Sequence, residues 1–151
     1  MIMIATGTGL SPFRGFLQER AAQGEKAKLG PALLIYGCRL PDSDFIYEEE
    51  VRQFETDGVA KVVTAYSRVQ DGTAGQVQDA VRGHADEILE LIARGGITYV
   101  CGGAGTVAPA LRDAFAEIYQ RQAGVSAEEG VAWLEEQRAT NRYLEDVWAA
   151  H

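Results

Sequence analysis

Four short apolar runs in this sequence are each followed by residues that could bind a nucleotide. The first run precedes the turn Gly7-Thr8-Gly9, whose glycines let the backbone approach a phosphate closely. Ser11 is predicted to cap the helix that follows, with Pro12 at the first helical position, where its missing amide costs nothing. Because the amides at a helix N-terminus attract anions, this stretch predicts a phosphate-binding turn.

Arginines after the next two runs add positive charge to the same predicted site. Arg39 follows the second run and Ser67-Arg68 follows the third. A guanidinium fork suits a pyrophosphate or a ribose 2′-phosphate. The turn is not the GxGxxG fingerprint of the Rossmann fold, because Pro12 occupies the place of its third glycine. The residues therefore favour a phosphorylated dinucleotide.

The fourth run ends in a thiol and three glycines. Cys101, Gly102, Gly103 and Gly105 lie at this point of the chain. Each residue after the four runs has an ordinary alternative explanation as a turn residue, a solvated loop residue or a small buried apolar side chain. Their coincidence at four predicted strand ends favours a binding site, since ligands of open parallel sheets bind at the carboxyl ends of the strands.

The elements that must position these residues alternate along the chain. Apolar runs without polar alternation are typical of strands buried on both faces, and they span 1–5, 32–37, 60–67 and 97–102. Helical periodicity predicts helices over 13–21, 47–54, 77–91 and 107–119, and a capping box from Ser126 to Glu129 opens another. This order predicts one α/β domain over 1–151, with a parallel sheet and helices on both faces. The segment 142–151 is either a fifth strand or a tail.

Composition excludes several classes of function. The 151 residues are 46% hydrophobic and 24% charged, as in a soluble globular domain. A net charge of −8 argues against a nucleic-acid or anionic membrane surface. No run is long enough for a membrane span or a signal peptide, so we expect a cytoplasmic protein. Cys38 and Cys101 lack the companion residues of a metal site, and we expect both to be free thiols.

Five ordered motifs resemble a known family: GTGLSPFRGFLQER, YGCRLPDSDFIYEEE, AYSR, YVCGG and NRYLEDVWA. Their order and spacing resemble the NADPH-binding domain of diflavin reductases, a branch of the ferredoxin–NADP reductase superfamily that includes cytochrome P450 reductase. The resemblance covers essentially the whole chain. It is nearest to the C-terminal reductase end of self-sufficient P450 BM3-type monooxygenases.

The resemblance implies a five-stranded parallel sheet in the order 3-2-1-4-5, as in the C-terminal domain of ferredoxin–NADP reductase. That order separates the ends of the second and fourth strands by roughly 9 to 10 Å, beyond the reach of a disulfide between Cys38 and Cys101. It also implies that the chain binds NADP(H) and positions the nicotinamide for hydride transfer to FAD, from which electrons pass through FMN to a P450 haem. The implied partners are FAD-binding and FMN-binding domains of the same parent chain and a P450 haem domain. The chain would then be a fragment of a longer flavoprotein, inactive alone.

The resemblance also assigns cofactor contacts to the residues after the first three strands. Thr8, within the Gly7-Thr8-Gly9 turn, would contact NADP(H) near its nicotinamide end. Arg39 would lie next to the phosphates, and Ser67 and Arg68 would bind the 2′-phosphate.

At the fourth and fifth strands the resemblance implies a hydride-transfer site. Cys101, followed by Gly102 in the cofactor-binding turn, would lie beside the nicotinamide C4. Asp146 would orient the ring together with that thiol, and Trp148 would cover the flavin. Neither the thiol nor the acid would act as a nucleophile.

The sequence departs from the family pattern near the expected 2′-phosphate. Ala74 and Gln76 stand where the family has a lysine and a tyrosine. In a separate part of the cofactor cleft, after the fourth strand, Gly103 replaces an aspartate of the family. Because one lost contact to a charged group costs about 1.5–3 kcal/mol, a shift of preference towards NADH is a second hypothesis. A flavodoxin-like binding module without redox chemistry is a third. We expect His84 to be a packed or half-exposed residue and not a catalyst.

Overall fold

A computed structural model describes residues 1–24, 28–69 and 75–149. One sheet of parallel strands forms its centre, in the order β3-β2-β1-β4-β5. The strands are β1 Ile2–Thr6, β2 Leu33–Cys38, β3 Lys61–Tyr66, β4 Thr98–Gly103 and β5 Tyr143–Trp148. The predicted fold class and the strand order 3-2-1-4-5 are therefore confirmed, and the ambiguous last segment contains a strand.

Helices cover both faces of the sheet. They are α1 Leu10–Gln23, α2 Pro41–Asp44, α3 Glu48–Thr56, α4 Val77–Gly83, α5 Ala85–Ala93, α6 Val107–Ala123 and α7 Ala127–Ala139, with a 3₁₀ helix at Gly7–Gly9. Among the helices of the described ranges, none is long and apolar enough to cross a bilayer.

Alternate residues of the central strands supply two cores. Met3 packs with Phe13 of α1 in the core on the α1 and α3 side, whereas Ile4 packs with Phe115 of α6 in the core on the side of α4 to α7. Both faces of β1 and β2 are buried, so these strands have no polar alternation. Burial on both faces is the physical reason that the apolar runs predicted these strands.

β5 differs because only one of its faces is covered. Tyr143 packs edge-to-face on Phe115, with ring centroids 5.1 Å apart. On the α1 side, Leu144, Asp146 and Trp148 are exposed. Exposed and less exposed residues therefore alternate along β5, with Glu145 on one face and Asp146 on the other. This sequence pattern is typical neither of a strand buried on both faces nor of a helix.

Two local predictions were wrong. α1 begins at Leu10 directly after the 3₁₀ turn, so Gly9 occupies the cap position and Ser11 is not the cap. Pro12 is therefore the third residue of the helix and not the first, although it still lies in the first turn, where backbone amides have no intrahelical acceptor. The helix predicted over 77–91 is two helices, α4 and α5, which meet at His84.

Other local predictions are confirmed. His84 is half-buried, with Nδ1 2.9 Å from the Ala80 carbonyl oxygen. At the start of α7, the Glu129 amide donates to Ser126 Oγ at 3.2 Å, and the Ser126 amide donates to Glu129 Oε2 at 2.9 Å. The capping box therefore forms as its spacing predicted.

Candidate functional site

A cavity of about 410 Å³ lies at the carboxyl ends of β1, β2 and β3. Gly7, Arg39, Ser67 and Gln76 line it. These four residues come from separate parts of the predicted site, so the fold brings them together. Ligands of open parallel sheets bind at this edge, beside the point where strand order reverses between β1 and β4.

Gly7 shapes the turn above this cavity. Its φ of +54° lies in the left-handed region, which favours glycine. The Tyr36 hydroxyl is 3.2 Å from the Gly7 carbonyl oxygen and 3.3 Å from that of Asp44, and donates towards both. Burial raises the pKa of Tyr36 to about 12, so the hydroxyl keeps its proton at neutral pH. The sequence did not single out Tyr36, because it lies within an apolar run.

Arg39 is held at the mouth of the cavity by an acid that the sequence analysis missed. Arg39 Nη2 lies 2.8 Å from Asp44 Oδ1, and the Leu40 amide donates to Asp44 Oδ2 at 3.2 Å. Asp44 also lines the cavity. A phosphate bound to Arg39 would therefore share the guanidinium with a carboxylate.

Backbone pairing continues past the ends of β2 and β3. The Ser67 amide donates to the Cys38 carbonyl and the Arg68 amide to that of Arg39, both at 3.0 Å. This pairing places Arg68, whose side chain is exposed, beside Arg39 in the loops that follow β2 and β3. The backbone of Arg68 thus lies next to that of Arg39, but the Arg68 side chain is not among those that line the cavity.

Gln76 lies between the cavity and α4. Its amide donates to Asp79 Oδ2 at 2.9 Å, so Gln76 is the N-cap residue of α4 as well as part of the cavity wall. Ala74, the other departure from the family pattern, lies outside the described residues.

Gly9 and Gly102 serve a close approach between the turn and β4. A Cβ on Gly9 would overlap the carbonyl oxygen of Cys101, and a Cβ on Gly102 would overlap Thr6 Oγ1. We predicted that Gly9 lets the backbone approach a phosphate. The structure adds a separate reason for a glycine there, which is packing against β4.

A second group of predicted residues meets at the ends of β4 and β5. The register pairs Cys101 with Asp146 and Gly103 with Trp148. Cys101 is buried, and burial, with a smaller effect of Asp146, raises the pKa of its thiol. A protonated thiol beside an exposed carboxylate can orient a polar ring but is a poor nucleophile.

Thr8 lies between the two groups, in the 3₁₀ turn that contacts both the cavity and β4. Cys38 and Cys101 are both free thiols, as predicted. β1 separates their strands in the sheet. The edge can therefore accept an elongated ligand, with an anionic end near Arg39 and Arg68 and a polar ring near Cys101.

A larger cavity, of about 700 Å³, lies at the opposite edge of the sheet. Arg20, Leu33, Lys61 and Glu87 are among the residues that line it. It contains none of the predicted site residues and lies at the amino ends of β2 and β3, away from the edge where such sheets bind ligands.

Comparison with known proteins identifies the family. Residues 3–112 match the family described as the oxidoreductase NAD-binding domain. The chain belongs to this family. The matched residues include β2 to β4, all of β1 except Ile2, and every residue that lines the cavity at the carboxyl ends of β1 to β3.

This oxidoreductase NAD-binding domain has long curated relatives. It is 40% identical over 149 residues to the bifunctional cytochrome P450/NADPH–P450 reductase 2 of Bacillus subtilis, and the alignment covers 98% of the chain and 14% of that protein. It is 41% identical over 150 residues to reductase 1 of the same organism, with 99% of the chain and 14% of that protein covered. The NADPH–cytochrome P450 reductase of Aspergillus fumigatus is 38% identical over 152 residues, covering 99% of the chain and 22% of that protein.

These matches confirm the resemblance drawn from the five motifs. The domain spans 14% to 22% of the length of these relatives.

Proposed function

We propose that this domain binds NADP(H) and positions the nicotinamide for hydride transfer to FAD in a diflavin reductase. The observation that carries the proposal is the arrangement of one edge of the sheet. A cavity with Arg39 at its mouth lies on one side of β1, and the paired Cys101 and Asp146 lie on the other. We infer that one extended dinucleotide spans both. The names of the relatives, which include NADPH, support this cofactor.

The phosphates of the dinucleotide would be bound around the cavity. The Gly7-Thr8-Gly9 turn and Arg39 would hold the pyrophosphate, with Thr8 towards the nicotinamide. Ser67 and Arg68 would bind the 2′-phosphate, and Gln76 would contact the same end of the ligand. The cavity lining, which includes Arg39, Ser67 and Gln76, and the backbone pairing of Arg68 with Arg39 support these roles.

The ring would lie at the ends of β4 and β5. Gly102 would contact the cofactor through its backbone, because Thr6 Oγ1 fills the space that a Cβ would take there. The Cys101 thiol and the Asp146 carboxylate would fix the orientation of the ring by hydrogen bonds. NADP(H), when bound, supplies the hydride. The role of the protein is therefore to orient the nicotinamide and to exclude competing reactions. Trp148 is 42% exposed and would stack on FAD until the nicotinamide displaces it.

We propose further that residues 1–151 are one domain of a longer flavoprotein. FAD-binding and FMN-binding domains of the same chain and a P450 haem would be its partners in electron transfer. The small share of each relative that the domain covers supports this arrangement. A cytoplasmic location belongs to the same proposal, because two free thiols suit a reducing compartment.

Calorimetric titration with 2′-phospho-AMP and with AMP tests the phosphate site. Arg68→Ala removes one charged contact, so affinity for 2′-phospho-AMP should fall about 10-fold to 150-fold, equivalent to about 1.5–3 kcal/mol, while AMP binding stays constant. Arg94→Ala is the control, because Arg94 ends α5 away from the cavity and is exposed. Equal affinities for the two nucleotides, or no effect of Arg68→Ala, would refute the 2′-phosphate site.

A second candidate is the same role with NADH as the preferred donor. Gln76 in the cavity wall favours it, because it stands where the family has a tyrosine at the end of the ligand that carries the 2′-phosphate. Hydride-transfer rates from NADH and NADPH in the FAD-containing reductase distinguish the candidates, and a large NADPH advantage eliminates the second.

The remaining hypothesis was a flavodoxin-like binding module without redox chemistry. It predicts that polar side chains do not converge at the strand ends. The cavity that joins Arg39, Ser67 and Gln76 argues against it.

A further inference from the structure

The strand that carries Asp146 and Trp148 is supported from one side only. β5 is at the edge of the sheet and pairs with β4 alone. On the α1 side its side chains are exposed, so no packing from the described residues fixes their direction. The orientation of Asp146 towards Cys101 therefore depends on the contacts that β5 makes on its other face.

Two arginines hold Glu145 on that other face. Arg112 of α6 donates from Nε to Glu145 Oε1 at 2.8 Å and from Nη2 to Oε2 at 2.7 Å. Arg138 of α7 approaches the same carboxylate, with Nη2 3.7 Å from Oε2. The Glu145 side chain is 10% exposed, the lowest value for an acidic partner of any ion pair among the described residues.

This ion pair restrains the backbone more than the surface pairs do. A bidentate guanidinium–carboxylate contact fixes both distance and direction. Because Glu145 is largely removed from water, separating it from Arg112 would leave a poorly solvated charge. Tyr143, two residues earlier on the same face, is 3% exposed and packs on Phe115. β5 is thus held at Tyr143 and Glu145, two alternate residues on the face that packs against α6.

We propose that Arg112 and Glu145 are positioning residues for the hydride-transfer site. Glu145 and Asp146 share a peptide unit and point to opposite faces, so a rotation at one turns the other. By fixing Glu145, the ion pair fixes the direction of the Asp146 carboxylate and of Trp148 two residues later. This role rests on the proposed function of the site.

Glu145→Gln in the FAD-containing reductase tests the role in activity. The amide keeps the shape of the side chain and removes its charge. We expect the rate of hydride transfer from NADPH to fall about 10-fold, since a displacement of about 1 Å caused far from the chemistry can cost on the order of 100-fold. The KM for NADPH should stay within about twofold, because the phosphate cavity lies across β1.

Glu117→Gln is the matched control. Glu117 accepts from Arg82 Nε at 2.7 Å and links α6 to α4 instead of to β5. The control loses one ion pair of similar length, so neither hydride transfer nor KM should change.

Hydrogen exchange of the β5 amides tests the restraint itself without any cofactor. In Glu145→Gln the amides of residues 144–148 should exchange about tenfold faster than in the unaltered chain, whereas Glu117→Gln should not affect them. Arg112→Lys keeps the charge but loses the fork, so it should fall between the two. This variant also provides the test if Glu145→Gln folds poorly.

Faster exchange together with slower hydride transfer at constant KM supports the positioning role. Unchanged exchange refutes the restraint, and faster exchange with unchanged hydride transfer refutes its effect on the site. Failure of the proposed function gives a different result: Asp146→Asn, which leaves the Arg112–Glu145 pair intact, would not slow hydride transfer.

Discussion

Gly9 provides a direct test of why the turn contains glycine. A Cβ at this position would overlap the carbonyl oxygen of Cys101, a backbone atom that cannot rotate away. The φ of Gly9 is −61°, a value that any residue adopts, so Gly9→Ala introduces a steric overlap without backbone strain. We therefore expect Gly9→Ala to destabilise the folded chain in the absence of any nucleotide.

The size of this loss follows from two opposing effects. Overpacking typically costs about 1–3 kcal/mol, and the reduced freedom of the unfolded chain returns about 0.4–1 kcal/mol. Because the overlap is with backbone, we expect the upper part of the difference, about 1.5–2.5 kcal/mol. For a chain of this length that loss lowers Tm by roughly 3–10 °C.

Urea unfolding followed by circular dichroism measures the change, with Gly15→Ala as the control. Gly15 is an exposed residue of α1, and a Cβ there would have no atom within 4 Å. Alanine should stabilise this position by about 0.4–1 kcal/mol. If Gly9→Ala proved as stable as Gly15→Ala, the packing explanation would be refuted and approach to a ligand would remain the reason for the glycine.

Two further predictions concern stability. Ser126→Ala removes the oxygen that accepts from the Glu129 amide, so urea unfolding should show a loss of about 0.5–2 kcal/mol, and an unchanged midpoint would contradict the cap. Burial raises the pKa of Cys38 from 9.0 to about 11 in the folded chain. Between these pH values the folded chain binds more protons than the unfolded chain, so this stabilisation is complete below about pH 9 and is lost as the pH rises towards 11. The urea midpoint should fall over that range, and the fall should be shallower in Cys38→Ala; equal slopes would contradict the shift.

Most of the fold could be predicted because its strongest signals are local. β1 and β2 are buried on both faces, so their sequences are continuous apolar runs. The cap of α7 depends on Ser126 and Glu129 alone, three residues apart. The strand order came from the family resemblance, since no pattern within a strand specifies its neighbours.

The failures have specific physical causes. Ser11 has the side chain of a cap, but the 3₁₀ turn brings the backbone into the helix one residue before it, at Leu10. Apolar spacing continues through 77–91, although His84, with φ −116° and ψ 27°, interrupts the helix. In both cases the side-chain pattern correctly indicated a helix. It did not specify the backbone conformation that sets where the helix begins or is interrupted.

Within the site, the sequence predicted the residues after the strands but not those that hold them. Asp44 orients Arg39 from five residues away, and Tyr36 reaches the turn from the neighbouring strand. Glu145 looks like a surface acid until Arg112, 33 residues distant, meets it. These contacts depend on tertiary structure, and single positions carry no signal for them.

Glu145 and Asp146 are adjacent acids of β5, and the register of β5 against β4 determines which of them faces Cys101. A slip of β5 by one residue against β4 would exchange its two faces. Such a slip would still place one carboxylate near Arg112 and one near Cys101, so charge does not distinguish the two registers. Tyr143 does, because a slip would bring Leu144 or Arg142 into the space where its ring packs on Phe115. An aromatic contact at the start of the strand thus decides which of two acids faces the site.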